Sequence, residues 1–298
     1  MPDIAGQPRA VMAASNGMRK RRTWLRLAFW IVLLFLSGCM LRRFEHNQVY
    51  HPSRILDATG RELGRECQDV YFTSSDGVRL NGWFYPADAS SPRGRYVVLI
   101  CHGNGGNISH RLDLYETLLR AEFNVFAFDY RGYGRSEGQP GEEGTYRDAQ
   151  AAHAWLREKG FEGKNIIAYG ESLGGAVAAE LCLREPTGGL ILQSTFTSLP
   201  DIGSELYPWL PVRWLSTIRY DTCRKLSQIT VPVLILHSRD DGLIRFSHAE
   251  RNFRHANEPK LFQEIQGGHN DPLTNPASFM EGIESFMKLV ENRANTGA

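Results

Sequence analysis

The stretch Gly170-Glu171-Ser172-Leu173-Gly174 constrains this chain more than any other. An apolar run ending in Ile166-Ile167-Ala168-Tyr169 precedes it, and a run of small residues, Gly175-Ala176-Val177-Ala178-Ala179, follows it. A serine between two glycines at such a junction predicts a sharp strand-to-helix turn. The glycines leave room for a strained backbone that pushes the hydroxyl out of a sheet. The N–H of Leu173 and the helix N-terminus behind it would then face developing negative charge. Ser172 is therefore the candidate nucleophile, and Leu173 a candidate oxyanion donor.

The surrounding sequence has the alternation that such a turn needs. Residues 70–73 and 78–85 read as strands joined by a turn at Ser75-Asp76-Gly77, a hairpin by the Asp-Gly signal. Short apolar strands are expected at 97–101, 125–128, 166–169, 190–192, 233–236 and 261–265. Helices are expected at 108–121 and 144–159 and, amphipathic and closing the chain, at 278–290. Strands that are apolar throughout and separated by helices predict a mainly parallel, doubly wound α/β sheet covered on both faces.

Such sheets carry their chemistry at the carboxyl ends of the strands, and four of these ends bear suggestive residues. The first is His102-Gly103-Asn104-Gly105-Gly106-Asn107. No Gly-Lys-Ser/Thr follows it, so it is not a phosphate-binding P-loop. Its backbone can supply a second oxyanion donor, assigned to Asn104, while His102 reads as structural. The second is the Ser172 turn. The third is His237-Ser238-Arg239-Asp240-Asp241-Gly242-Leu243-Ile244, and the fourth Gly267-Gly268-His269-Asn270-Asp271. A serine needs a base at neutral pH, and the base needs a carboxylate to fix its tautomer. His269 on its glycine-flanked loop is the candidate base, and Asp240 and Asp241 both qualify as the acid.

The first 38 residues read as a separate object. Met18-Arg19-Lys20-Arg21-Arg22 is a basic region, and residues 27–38 carry no charge. That run is too short for a span, which needs roughly 20 apolar residues, and it suits a signal-peptide core. It ends in Leu36-Ser37-Gly38-Cys39, which resembles the lipobox of bacterial lipoproteins and makes Cys39 the expected lipidation site. The polar stretch before Met18 makes Met18 a candidate initiator. The expected organisation is a signal peptide at 1–38, a surface-crawling connector at 39–67 and one domain at 68–292. Residues 196–230 form a short cap insertion within that domain. The cap is apolar around Tyr207, Trp209, Trp214 and Leu215, which suits either an acyl-binding rim or a helix packed on the domain.

Composition removes other classes. Thirty-four basic residues face 33 acidic ones, with no basic stripe for nucleic acid. Cys67, Cys101, Cys182 and Cys223 lack metal-ligand spacing, so neither a metal nor a cofactor is expected. Cys101 and Cys182 lie in apolar runs as small hydrophobes. An oxidising compartment permits a Cys67–Cys223 disulfide without requiring one.

Together, the serine turn and the order Ser, Asp, His resemble the α/β-hydrolase superfamily over about residues 70–290. Phe128-Asp129-Tyr130-Arg131-Gly132-Tyr133-Gly134-Arg135-Ser136 resembles its turn after the fourth strand, where Asp129 and the glycines are structural. His-Gly-Asn at 102–104, Gly-Glu-Ser-Leu-Gly at 170–174, Phe246-Ser247-His248 and Gly-His-Asn-Asp at 268–271 resemble the alpha/beta-hydrolase-domain group that includes protein depalmitoylases. The resemblance implies an α/β-hydrolase fold. It places the acid three residues before an aliphatic residue, Ile244, and so selects Asp241. One departure is His237-Ser238, where His-Gly is usual. The group's cysteine-rich N-terminus is replaced by the lipobox, so depalmitoylation does not carry over. The function implied is a serine hydrolase cleaving esters or thioesters through an acyl-enzyme, with a small-molecule or acylated substrate. A peptidase or amidase on the same fold is the alternative, and an intact triad argues against a non-catalytic lipid-anchored binding protein. The lipobox implies membrane attachment in the cell envelope, facing periplasm or exterior, and Met40 after the cysteine favours an outer membrane.

Overall fold

The computed structural model describes residues 8–296, with side chains left undescribed at 8–23, 25–28, 34, 295 and 296. The first seven residues of the expected signal peptide, and the side chains of its basic run, lie outside the described residues. The chain divides into two compact units, Met1–Gln48 and Val49–Ala298. A helix spanning Pro8–Val49 dominates the first. Cys39 on it is exposed, and among the described residues no helix is long and apolar enough to cross a membrane.

The second unit is built on eight strands: β1 (Gln68–Thr73), β2 (Arg79–Tyr85), β3 (Val97–Cys101), β4 (Asn124–Phe128), β5 (Ile166–Glu171), β6 (Gly189–Gln193), β7 (Val233–Ser238) and β8 (Lys260–Ile265). Their spatial order is β8-β7-β6-β5-β3-β4-β2-β1. The expected hairpin is present as the antiparallel pair β1–β2, and β2 also runs antiparallel to β4. All other neighbours are parallel. The helices are α1 (Leu112–Arg120), α2 (Glu142–Glu158), α3 (Leu173–Arg184), the cap helices α4 (Leu199–Leu206), α5 (Val212–Leu215) and α6 (Thr222–Leu226), then α7 (Phe246–His255) and α8 (Pro276–Thr296).

The uniform apolarity of the strands follows from their having two buried faces. Successive side chains point to opposite sides, so Val97, Leu99 and Cys101 of β3 join the core with Ala176 and Val177 of α3. Val98 and Ile100 of the same strand join Leu114 and Tyr115 of α1 and Phe279 and Ile283 of α8 in a second core. The chain order reverses about β3, whose neighbours are β5 and β4. Loops leaving β3 and β5 there diverge and open a crevice.

Three segments differ from expectation. The helix expected at 108–121 breaks at Arg111, leaving a short 3-10 turn Ile108–His110 before α1. Helix α7 was not anticipated; its short amphipathic face follows a loop rich in charge. The connector does not simply crawl over the surface. Its first residues complete the N-terminal helix, and His51–Pro52 form a parallel ladder with Gly105–Gly106.

Candidate active site

Ser172 stands between the end of β5 and the first residue of α3. Its backbone lies at φ 53° and ψ −116°, a region that L-residues rarely occupy. The turn is possible because its flanking glycines are in close contact. A Cβ on Gly170 would come within 2.3 Å of the Gly175 Cα, and one on Gly174 within 2.0 Å of the Cys101 carbonyl. The helix carrying the serine is thereby seated directly on the end of β3.

Two other strand ends bring their residues to it. His269, in the loop after β8, has Nε2 3.1 Å from Ser172 Oγ. Its Nδ1 lies 2.8 Å from Asp241 Oδ2, in the loop after β7. Nδ1–H therefore donates to the carboxylate, and Nε2 presents its lone pair to the hydroxyl. Asp241 Oδ1 accepts the N–H groups of Leu243 and Ile244 at 2.9 and 2.8 Å. Burial pushes the Asp241 carboxyl up, but the bonds from His269 and from these N–H groups outweigh it, and the net shift is downward. Asp240 is exposed, its N–H taken by Ser238 Oγ at 3.0 Å. Ser238, the departure from His-Gly, thus helps to close the turn that delivers Asp241. His237 is fully buried and 2.9 Å from the Ile244 carbonyl through Nε2, bracing the far side of that loop.

Asn104 lines the same cavity as Ser172. Its side chain is turned away, donating to the Val49 carbonyl at 2.8 Å. Its carbonyl accepts from His51 N–H and Tyr133 Oη. What Asn104 can offer an oxyanion is its backbone N–H, because its side-chain amide and its carbonyl are engaged elsewhere. His102 is fully buried beneath the loop, against Tyr130 and Tyr133.

The sequence reading missed an ion pair. Arg111 donates to both carboxylate oxygens of Glu171, the residue before the serine, at 3.1 and 3.2 Å. The same guanidinium donates to the carbonyls of Gly105 and Asn107, each at 3.0 Å. It therefore ties the loop after β3 to the serine turn, and it accounts for the helix break at Arg111. No motif signals this, because Glu171 occupies a variable position of the serine pattern.

A cavity of about 700 Å³ opens beside Ser172 and His269. Gly103 to Gly106 form one side, Asp113, Glu116, Thr117 and Arg120 of α1 another, and residues 270–274 with Leu243 the rim. No residue of the cap at 196–230 lines it. Trp209 and Trp214 are instead 77% and 91% exposed, so these cap aromatics do not line this cavity. Phe196, Ile202, Tyr220, Leu226 and Ile229 are among the cap residues that turn inward. Among the described residues no cluster of ligating side chains could hold a metal ion, and all five cysteines are free.

A family model described as serine aminopeptidase, S33 matches residues 92–226. Uncharacterized protein Rv2307c of Mycobacterium tuberculosis is 35% identical over 264 residues, spanning 86% of this chain and 92% of its own length. The alpha/beta hydrolase domain-containing protein WAV2 of Arabidopsis thaliana is 33% identical over 278 residues, spanning 84% of this chain and 87% of its own. Among solved structures, the esterase Pf2001 of Pyrococcus furiosus shares the fold at a TM-score of 0.66 and 22% identity, covering 80% of this chain and 97% of that one.

Proposed function

This chain belongs to the α/β-hydrolase superfamily, and from that premise we propose that it is a serine hydrolase acting on carboxylic or thioesters through an acyl-enzyme. The observation that carries the reading is the unbroken chain Ser172 Oγ, His269, Asp241 on a strained strand-to-helix turn. In this reading His269 Nε2 takes the Ser172 proton as Oγ attacks the carbonyl carbon, and Asp241 stabilises the imidazolium. The oxyanion is received by the N–H groups of Leu173 and Asn104. His269 then returns its proton to the leaving oxygen or sulfur, and a water activated by the same imidazole hydrolyses the acyl-serine.

The cavity favours compact esters with a polar part. It mixes charged side chains of α1 with Leu114, Leu243 and Leu273 and offers no enclosed apolar tunnel for a long chain. Turnover of p-nitrophenyl esters should therefore fall from acetate and butyrate to palmitate, with an initial burst wherever deacylation is slower than acylation. A preference for the long chain would contradict the compact-substrate reading. The name of the matched family keeps amide hydrolysis as the second reading. Matched aminoacyl p-nitroanilides and p-nitrophenyl esters separate the two, the esters being turned over faster if the first is right. Cys39 in its lipobox-like setting supports an envelope protein held to a membrane by lipid.

A further inference from the structure

We propose that residues 49–57, the strap leading out of the N-terminal helix, are a positioning element of the active site that holds the 103–107 loop where its N–H groups can receive the oxyanion. This rests on the serine-hydrolase reading above. Three of the five loop residues are glycines, so the loop has little conformational preference of its own and takes its shape from what grips it. Arg111 grips one flank through the carbonyls of Gly105 and Asn107.

The strap grips the other flank residue by residue. His51 N–H donates to the Asn104 carbonyl and Ser53 N–H to that of Gly106, both at 3.0 Å. In return Asn104 Nδ2 donates to the Val49 carbonyl at 2.8 Å. Asn107 Nδ2 donates to the carbonyls of Ser53 and Ile55 at 3.2 and 2.6 Å. At the far end Asp57 Oδ2 lies 2.8 Å from His110 Nε2. None of the strap residues lines the cavity, so any effect on substrate is indirect, and the loop is the cavity-lining segment that they hold. Asn104 is both a candidate oxyanion donor and held to the strap by two hydrogen bonds, and a displacement of about 1 Å at such a donor costs on the order of 10²-fold in rate.

The test uses the full-length protein with Asn107→Asp. The substitution keeps Oδ1, which accepts from Ser109 N–H and Oγ at 3.0 and 2.6 Å. It replaces the amide that donates to two strap carbonyls by a carboxylate oxygen that repels them. Active sites are counted by exhaustive fluorophosphonate labelling, so loss of folded protein is not read as loss of rate. The expected result is kcat per labelled site lowered on the order of 10²-fold. The inhibition constant of an alkylboronic acid, which mimics the tetrahedral adduct, should rise by a similar factor, with KM for p-nitrophenyl butyrate little changed. Asp57→Ala, at an exposed position, should shift kcat and the boronate in the same direction by a smaller factor. Unchanged kcat per site in both variants, or a rise in KM with boronate affinity intact, would overturn the proposal. A wild type that takes no label would instead overturn the serine-hydrolase reading, and that failure shows before any variant is made.

Discussion

Ser172 occupies a backbone conformation that costs a non-glycine residue on the order of 1–3 kcal/mol. The contacts of Gly170 and Gly174 with their neighbours are what hold it there. At the same scale, only one of two adjacent carboxylates can orient His269. Asp241 is bonded to His269 and to two backbone N–H groups, while Asp240 faces solvent. Asp241→Asn should therefore lower kcat by about 10³–10⁴-fold, whereas Asp240→Asn should stay within a few-fold, measured as ester turnover. The reverse ranking would reassign the acid.

A second buried carboxyl gives a pH prediction. Burial raises Asp129 to about 7, against the opposing pull of the Ile108 N–H and the Arg111 charge. His102 Nδ1 lies 2.7 Å from the Gly103 carbonyl and so carries the ring proton. Its Nε2 lone pair then faces Asp129 Oδ1 at 3.6 Å, an arrangement that suits a protonated carboxyl. Unfolded, an aspartate titrates near 3.9. The folded state thus binds more protons between about pH 4 and 7, and this group's contribution to stability must fall as pH rises through that window. Asp129→Asn keeps an acceptor for Ile108 N–H and should flatten the decline in denaturation midpoint between pH 5 and 8; a slope equal to the wild type's would refute it.

At the scale of elements, what could be read in the sequence was whatever depends on local pattern. The strands were legible because burial on both faces makes them apolar throughout, and the hairpin because Asp76-Gly77 signals its turn. The serine turn was legible from its glycines. Contacts between distant segments left no such mark. Helix α1 looked continuous with residues 108–111, yet the Arg111 side chain turns back to the loop and to Glu171 and breaks it. The strap looked like a connector because its grip on residues 104–107 is made largely by backbone groups, which any sequence supplies. The cap was apolar enough to suit a substrate rim, but periodicity alone did not say which way its tryptophans point. Arg111→Met should destabilise the fold by roughly 2–4 kcal/mol, because it leaves Glu171 and two carbonyls without their donor. The melting temperature should fall, and kcat per folded site should fall with it. An unchanged melting temperature would show that the ion pair is not needed.

For the whole molecule, a hydrolase domain follows an N-terminal helix that bears Cys39. If Cys39 is lipidated, cells should incorporate radiolabelled palmitate into the protein, and Cys39→Ser should remove both the label and membrane retention. Retention of an unlabelled, full-length chain would contradict lipid anchoring. The central claim is that this domain works through a serine activated by His269 and Asp241. The most direct measurement is to treat the purified protein with a fluorophosphonate and map the modified peptide by mass spectrometry. The account predicts one stoichiometric adduct on Ser172, simultaneous loss of ester hydrolysis, and no adduct in Ser172→Ala. Ester hydrolysis that survives complete labelling, or an adduct on any other residue with Ser172 unmodified, would contradict it.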